Sequence, residues 1–94
     1  MNNEEFAELA LRAKAQLLKE SATCSADLKA LYESDAEGYD TLAWMAQQGL
    51  ESKRISESFA RMDTAARDEI WRHATSAQMD GLASFLNVRR IDLI

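Results

Sequence analysis

Apolar residues recur three and four positions apart through most of this chain, the spacing that stacks side chains on one face of an α-helix. The first such segment predicts a helix from Asn3 to Lys19, and Leu11 and Leu18 widen its apolar stripe. Its acidic first turn and basic last turn suit the helix dipole. The residues that form the predicted buried stripe are Phe6, Leu9, Ala10, Ala13 and Leu17.

A serine- and threonine-rich stretch, 21–25, follows and predicts a turn, because these side chains hydrogen-bond locally. We expect Ser25 to cap a short helix that runs through Leu28, Leu31 and Tyr32. Ser34 with Glu37 three residues later has the pattern of a capping box and predicts a further helix there. Its buried stripe is Tyr39, Leu42, Ala43 and Ala46.

One alternative is a single continuous helix from Ser25 to Gln48. Gly38 is the reason for this alternative, since a glycine weakens the first turn of a separate helix that starts at Ser34. Gly49 is predicted to end either version as a left-handed C-cap, with Leu50 folding back onto the last turn.

The second half predicts three more helices. One begins at Glu51 and Ser52, the next is capped by Asp63 or Thr64, and Thr75 with Gln78 precedes the last, which Asn87 ends. Their buried residues are Ile55, Phe59, Met62, Ala66, Ile70, Trp71, Ala74, Met79, Leu82, Ala83 and Leu86. We therefore predict an all-α fold, a compact bundle of five or six short helices forming one domain over 1–94, with a docking tail at 88–94.

The composition is consistent with a single helical core, and it indicates in which cellular compartment we expect the protein. The 94 residues include no proline, three glycines and one cysteine, and 47% are hydrophobic. No apolar run approaches the ~20 residues that a membrane span needs, and the first residues are acidic and polar where a secretory signal would be basic and then apolar. The expectation is a cytoplasmic protein that does not enter the membrane.

The charge is uneven along the chain. The net charge of −5 belongs to residues 1–50, whereas residues 51–94 hold seven basic and seven acidic side chains, and six of the seven arginines. A partner that meets the first half would experience a negative field, and one that meets the second half would find arginines able to bind carboxylate or phosphate.

Few side chains suggest catalysis or metal binding. His73 lies four residues after Glu69, but a zinc site needs three or four ligands and the chain has no other histidine. We expect an exposed surface pair. Cys24 precedes a predicted helix start, which could activate a thiol, but a lone cysteine at a core edge usually packs as a small apolar group. We predict neither an enzyme nor a bound cofactor or metal.

Protein binding is the predicted function. Four acidic residues, Glu33, Asp35, Glu37 and Asp40, cluster around one predicted turn and could dock on a basic partner or mimic nucleic acid. A structural explanation is at least as good, because acidic side chains at the start of a helix interact favourably with the helix dipole. Trp44 belongs to a run of four apolar residues, 42–45, that wraps around the helix, so one side must face something beyond the core. The chain has the size and composition of helical regulators and of phage or plasmid inhibitors, and we expect it to bind another protein and to form homodimers, with Trp44 as the anchor.

The alternative function is that of a DNA-binding transcriptional regulator. Residues 42–61 can be laid over a helix-turn-helix motif, with a turn at Gly49 and Lys53, Arg54 and Arg61 facing the DNA. Met45 stands where a small residue is usual, and the overall negative charge is unlike the basic surface of most DNA-binding domains.

Overall fold

Two long antiparallel helices form a hairpin on which three shorter helices pack. The computed structural model describes residues 1–88, and the helices of that part are α1 (Asn3–Ser21), α2 (Ala26–Gln47), α3 (Ser52–Ala60), α4 (Thr64–His73) and α5 (Met79–Phe85). Within it, α4 packs on α1, α3 on α2 and α5 on α3. The predicted all-α bundle is confirmed, whereas the expected docking tail lies outside the described residues except for Val88.

Helix α2 is continuous, so the preferred prediction of a break at Ser34 is wrong and the single-helix alternative is correct apart from its exact ends. Packing against α1 stabilises α2 across the capping-box pattern, since most helical stability in proteins comes from such contacts. Gly38 lies inside α2 next to Met62, and a Cβ atom there would lie 2.9 Å from Cε, the mobile end of the Met62 side chain.

The predicted helix ends at Gly49 and Asn87 are confirmed. Gly49 has a φ of 77°, and its N–H donates to the Ala46 carbonyl at 3.0 Å while Leu50 N–H donates to Met45 at 3.1 Å. These two bonds define a Schellman motif, which satisfies carbonyls that the helix end leaves free. Asn87, with a φ of 54°, ends α5 in the same way.

The other caps follow the sequence in part. Asp63 accepts a hydrogen bond from Ala66 N–H at 2.9 Å and caps α4. Thr75 N–H donates to the Gln78 side chain at 2.9 Å, which is half of the predicted capping box, although α5 begins only at Met79.

The core lies between the hairpin and the short helices. The rings of Phe6 and Phe85 stack at 4.6 Å and join α1 to α5. The hydroxyl of the fully buried Tyr39 donates to the Ala66 carbonyl and accepts from Ile70 N–H, which joins α2 to α4. The other large apolar side chains that are fully buried, below 2% exposed, are Leu9, Leu42, Ile55, Ile70 and Leu82.

The start of α2 lies beyond this core. Every residue from Ala26 to Ser34 is exposed or half-buried, and burial begins at Asp35. Leu28 and Leu31 lie on α2 as the predicted helix requires, and they are 47% and 46% exposed. Leu11 and Leu18 of α1 are exposed as well, at the edge of the buried stripe that they were expected to widen.

Candidate functional site

Three of the four predicted acidic residues form one exposed line with the predicted anchor Trp44. Glu33, Glu37, Asp40 and Trp44 follow one another at intervals of four, three and four residues on continuous α2. That spacing keeps side chains on one face of a helix, and all four are exposed, Trp44 by 56%. We call this set the acidic stripe; it extends about 16 Å along the helix axis.

The fourth acidic residue, Asp35, lies elsewhere. It is only 8% exposed and faces Asp63 at the start of α4. Burial, followed by the hydrogen bond to Asp63 and repulsion from its charge, raises the pKa of Asp35 to about 6. Asp35 therefore holds α2 against α4 and is not accessible with the other acids.

Two lysines offset part of the negative charge of the stripe. Lys14 of α1 lies 2.8 Å from the Asp40 carboxylate, and Lys29 lies 4.0 Å from Glu33. Both pairs are solvent-exposed, and exposed ion pairs contribute at most about 1 kcal/mol. Both acids thus remain available to an incoming cation.

Trp44 also borders a groove between α2 and α3. The groove encloses about 410 Å³, and its lining includes Met45, Leu50, Arg54, Glu57 and Arg61. Trp44 therefore has the acidic stripe along its own helix and two arginines across the groove. The prediction that one side of the 42–45 run faces outward is confirmed, since Leu42 and Ala43 are buried and Trp44 is exposed.

The residues predicted for the alternative function all lie on α3 or at its end. Lys53, Arg54 and Arg61 are exposed, whereas Ile55 and Phe59 are buried. The exposed residues of α3 and its two ends thus include three cations and two carboxylates, Glu51 and Glu57. The helix, turn and helix expected over 42–61 are present as the end of α2, the Gly49 turn and α3.

The Glu69–His73 pair forms but is not an exposed surface pair. Glu69 is 2% exposed and receives Arg72 Nη1 at one oxygen and His73 Nε2 at the other, both at 2.8 Å. The prediction of a solvated pair is wrong in this respect, because α4 turns Glu69 inward. The arrangement gives a buried carboxylate two charged or polar partners.

Within residues 1–88, the side chains do not assemble a metal site or a membrane span. No group of three or more histidine, cysteine, aspartate or glutamate residues there is arranged to hold a metal ion, and no helix of that part is long and apolar enough to cross a membrane. Cys24 is half-buried, and its thiol donates a long bond to the Ser21 carbonyl at 3.5 Å.

No protein-family model, curated protein or solved structure matches this chain.

Two features of the site were missed by sequence reasoning. The first is the alignment of Glu33, Glu37, Asp40 and Trp44, whose spacing is readable once α2 is taken as continuous. The second is the α2–α3 groove, which joins Trp44 to Arg54 and Arg61. Nothing in the local pattern predicts the groove, since it depends on the angle between the two helices.

Proposed function

We propose that this chain is a small cytoplasmic regulator or inhibitor that acts by binding a basic surface of another protein through the acidic stripe. The observation that carries the proposal is the exposed position of Trp44 in line with Glu33, Glu37 and Asp40. Tryptophan is enriched among the residues that dominate binding energy, and burying an exposed ring supplies affinity that charges alone do not.

The partner is defined by its chemistry. Carboxylates along one helix face attract lysine and arginine, and they raise the association rate with a surface of opposite charge. Surfaces that bind nucleic-acid phosphates have this character, so the stripe would compete with nucleic acid for such a surface. The proposal involves no catalytic step, cofactor or metal, and it allows a second copy of the chain to act as a further partner.

Affinity capture from the native lysate, with and without nuclease, tests the proposal. The wild type is compared with a triple variant, Glu33→Lys, Glu37→Lys and Asp40→Lys. We expect the wild type to retain a stoichiometric protein after nuclease treatment and the triple variant to lose it. Equal retention by both proteins would exclude the stripe as the binding surface.

A matched control separates local charge from overall charge. Glu5→Lys, Asp27→Lys and Asp68→Lys change the net charge equally at exposed positions outside the stripe. This control should retain the partner. Circular dichroism spectra of all three proteins establish that the variants are folded.

The second candidate function is DNA binding through α3, supported by the joint exposure of Lys53, Arg54 and Arg61 after the Gly49 turn. If it holds, fluorescence anisotropy at low salt detects binding to mixed-sequence duplex DNA, and Lys53→Ala with Arg54→Ala reduces the salt slope by about two. Absence of DNA binding at low salt would exclude this function.

A further inference from the structure

The surface around Trp44 is divided by charge. Glu37 and Asp40 lie on α2 in line with Trp44, and Arg54 and Arg61 lie across the groove on α3 and at its end. On α3 and at its two ends, the three cations Lys53, Arg54 and Arg61 outnumber the two exposed carboxylates, Glu51 and Glu57. The surface is therefore acidic on its α2 side and basic on its α3 side, with Trp44 at the border of the groove between them.

Three of these charges form no ion pair with another described residue. Among residues 1–88, no ion pair involves Glu37, Arg54 or Arg61. The side chains are exposed and solvated, so a complementary charge can reach them without rearrangement of the fold.

A second copy of the chain supplies such charges in the required order. A two-fold axis that lies in the interface and runs along the groove exchanges the α2 side and the α3 side in the partner. The acidic side of each copy then faces the basic side of the other, and Trp44 of each copy lies within the interface. Interfaces of this kind, in which the same patch serves both subunits, are the commonest in homo-oligomers.

We propose that the chain forms a two-fold homodimer through the Trp44 surface, with Glu37 and Asp40 of one copy facing Arg54 and Arg61 of the other. The dimer covers the acidic stripe, so self-association and the binding of a basic partner exclude one another. That second statement rests on the proposed function, whereas the dimer does not. The open groove and mixed charges fit a small interface of the weak class, with a Kd of about 10 to 100 µM.

Charge reversal tests the pairing with purified protein alone. One variant carries Arg54→Glu and Arg61→Glu, and the other carries Glu37→Lys and Asp40→Lys. In a dimer of either variant, like charges face one another at both contacts between the α2 side of one copy and the α3 side of the other. Each variant is therefore expected to self-associate at least about tenfold more weakly than the wild type. An equimolar mixture of the two variants restores opposite charges at both contacts and should form a heterodimer.

Sedimentation velocity up to about 1 mM protein, a concentration well above the expected Kd, follows the species. The control variant Arg12→Glu with Lys19→Glu carries the same charge change as the arginine variant, on exposed residues of α1 outside the groove, and should dimerise like the wild type. Emission from Trp44 gives a second signal, since it should shift to shorter wavelength as the dimer forms, while a Trp44→Phe variant records the contribution of Trp71.

Each result decides the proposal. Dimerisation of the wild type and the control, loss of it in both charge variants and its recovery in their mixture would establish the pairing. A wild type that stays monomeric would overturn the proposal, as would variants that dimerise unchanged or a mixture that remains monomeric. None of these results depends on a captured partner, so failure of the dimer and failure of the proposed function are distinguishable.

Discussion

Asp35 on α2 shares a hydrogen bond between carboxyl groups with Asp63, the residue that caps α4. Two carboxyl groups can bond in this way only when one of them keeps its proton. The Asp63 carboxylate already accepts Ala66 N–H at the start of α4, where a negative charge is favoured. Burial, above all, raises the pKa of Asp35 from 3.8 to about 6, so Asp35 carries a proton below about pH 6.

This relationship makes stability depend on pH. Between about pH 4 and pH 6 the folded chain retains a proton that the unfolded chain releases, so the contribution of Asp35 is complete below pH 4 and is lost as the pH rises through 6. Asp35→Asn keeps a hydrogen-bond donor without a titratable charge. We expect this variant to exceed the wild type in free energy of unfolding by about 1 to 3 kcal/mol at pH 7.5, and the difference to shrink toward pH 4.

Urea unfolding at several pH values measures the effect. Glu33→Gln is the control, because it neutralises an exposed carboxylate on the same helix. A difference between Asp35→Asn and the wild type that is independent of pH would contradict the shared proton.

Replacement by alanine should have opposite effects on stability at Gly38, within α2, and at Gly49, just after its end. Gly49 has a φ of 77° with open space around its Cα atom, so Gly49→Ala should cost about 1 to 2 kcal/mol through backbone strain alone. At Gly38 a Cβ atom meets the mobile end of Met62, and the gain in helix propensity is about 1 kcal/mol.

We therefore expect Gly38→Ala to raise the midpoint of thermal unfolding slightly and Gly49→Ala to lower it. Gly38→Leu provides the check on packing, since its larger side chain cannot be accommodated by a rotation of Met62 and should destabilise the protein. Equal midpoints for Gly49→Ala and the wild type would contradict the left-handed cap.

Burial of the Glu69 side chain is expected to be compatible with a stable fold only while Arg72 and His73 contact it. Removing both, by Arg72→Ala with His73→Ala, leaves a buried carboxylate without a counter-charge and should lower the free energy of unfolding by about 2 kcal/mol. Adding Glu69→Leu to that variant removes the buried charge and should recover most of the loss. Urea unfolding compares the three proteins, and a double variant as stable as the wild type would show that Glu69 is solvated.

Much of the fold was predictable from the sequence, because the positions and ends of several helices depend on interactions between residues close together in the chain. The Phe6 to Leu17 stripe of α1, the cap at Asp63 and the stops at Gly49 and Asn87 each depend on residues within one or two turns. The continuity of α2 was less accessible, because the signal at Ser34 and Glu37 for a helix start is equally compatible with the exposed face of a longer helix.

The candidate site was predictable only as a list of residues. Asp35 and Glu37 are neighbours in sequence, yet one is buried against Asp63 and the other is exposed, and only the contact between α2 and α4 distinguishes them. The exposed leucines Leu28 and Leu31 have the spacing of core residues, because α2 keeps its apolar stripe beyond the point where the shorter helices end.

The contribution of Trp44 to partner binding tests the central claim most directly. In nuclease-treated lysate, the protein retained by the wild type is titrated against wild type and against Trp44→Ala, which changes neither the charge nor the buried core. A binding tryptophan contributes about 2 kcal/mol or more, so Trp44→Ala should weaken binding about 30-fold or more and leave thermal unfolding unchanged. Equal affinity of the two proteins for that partner would contradict the account.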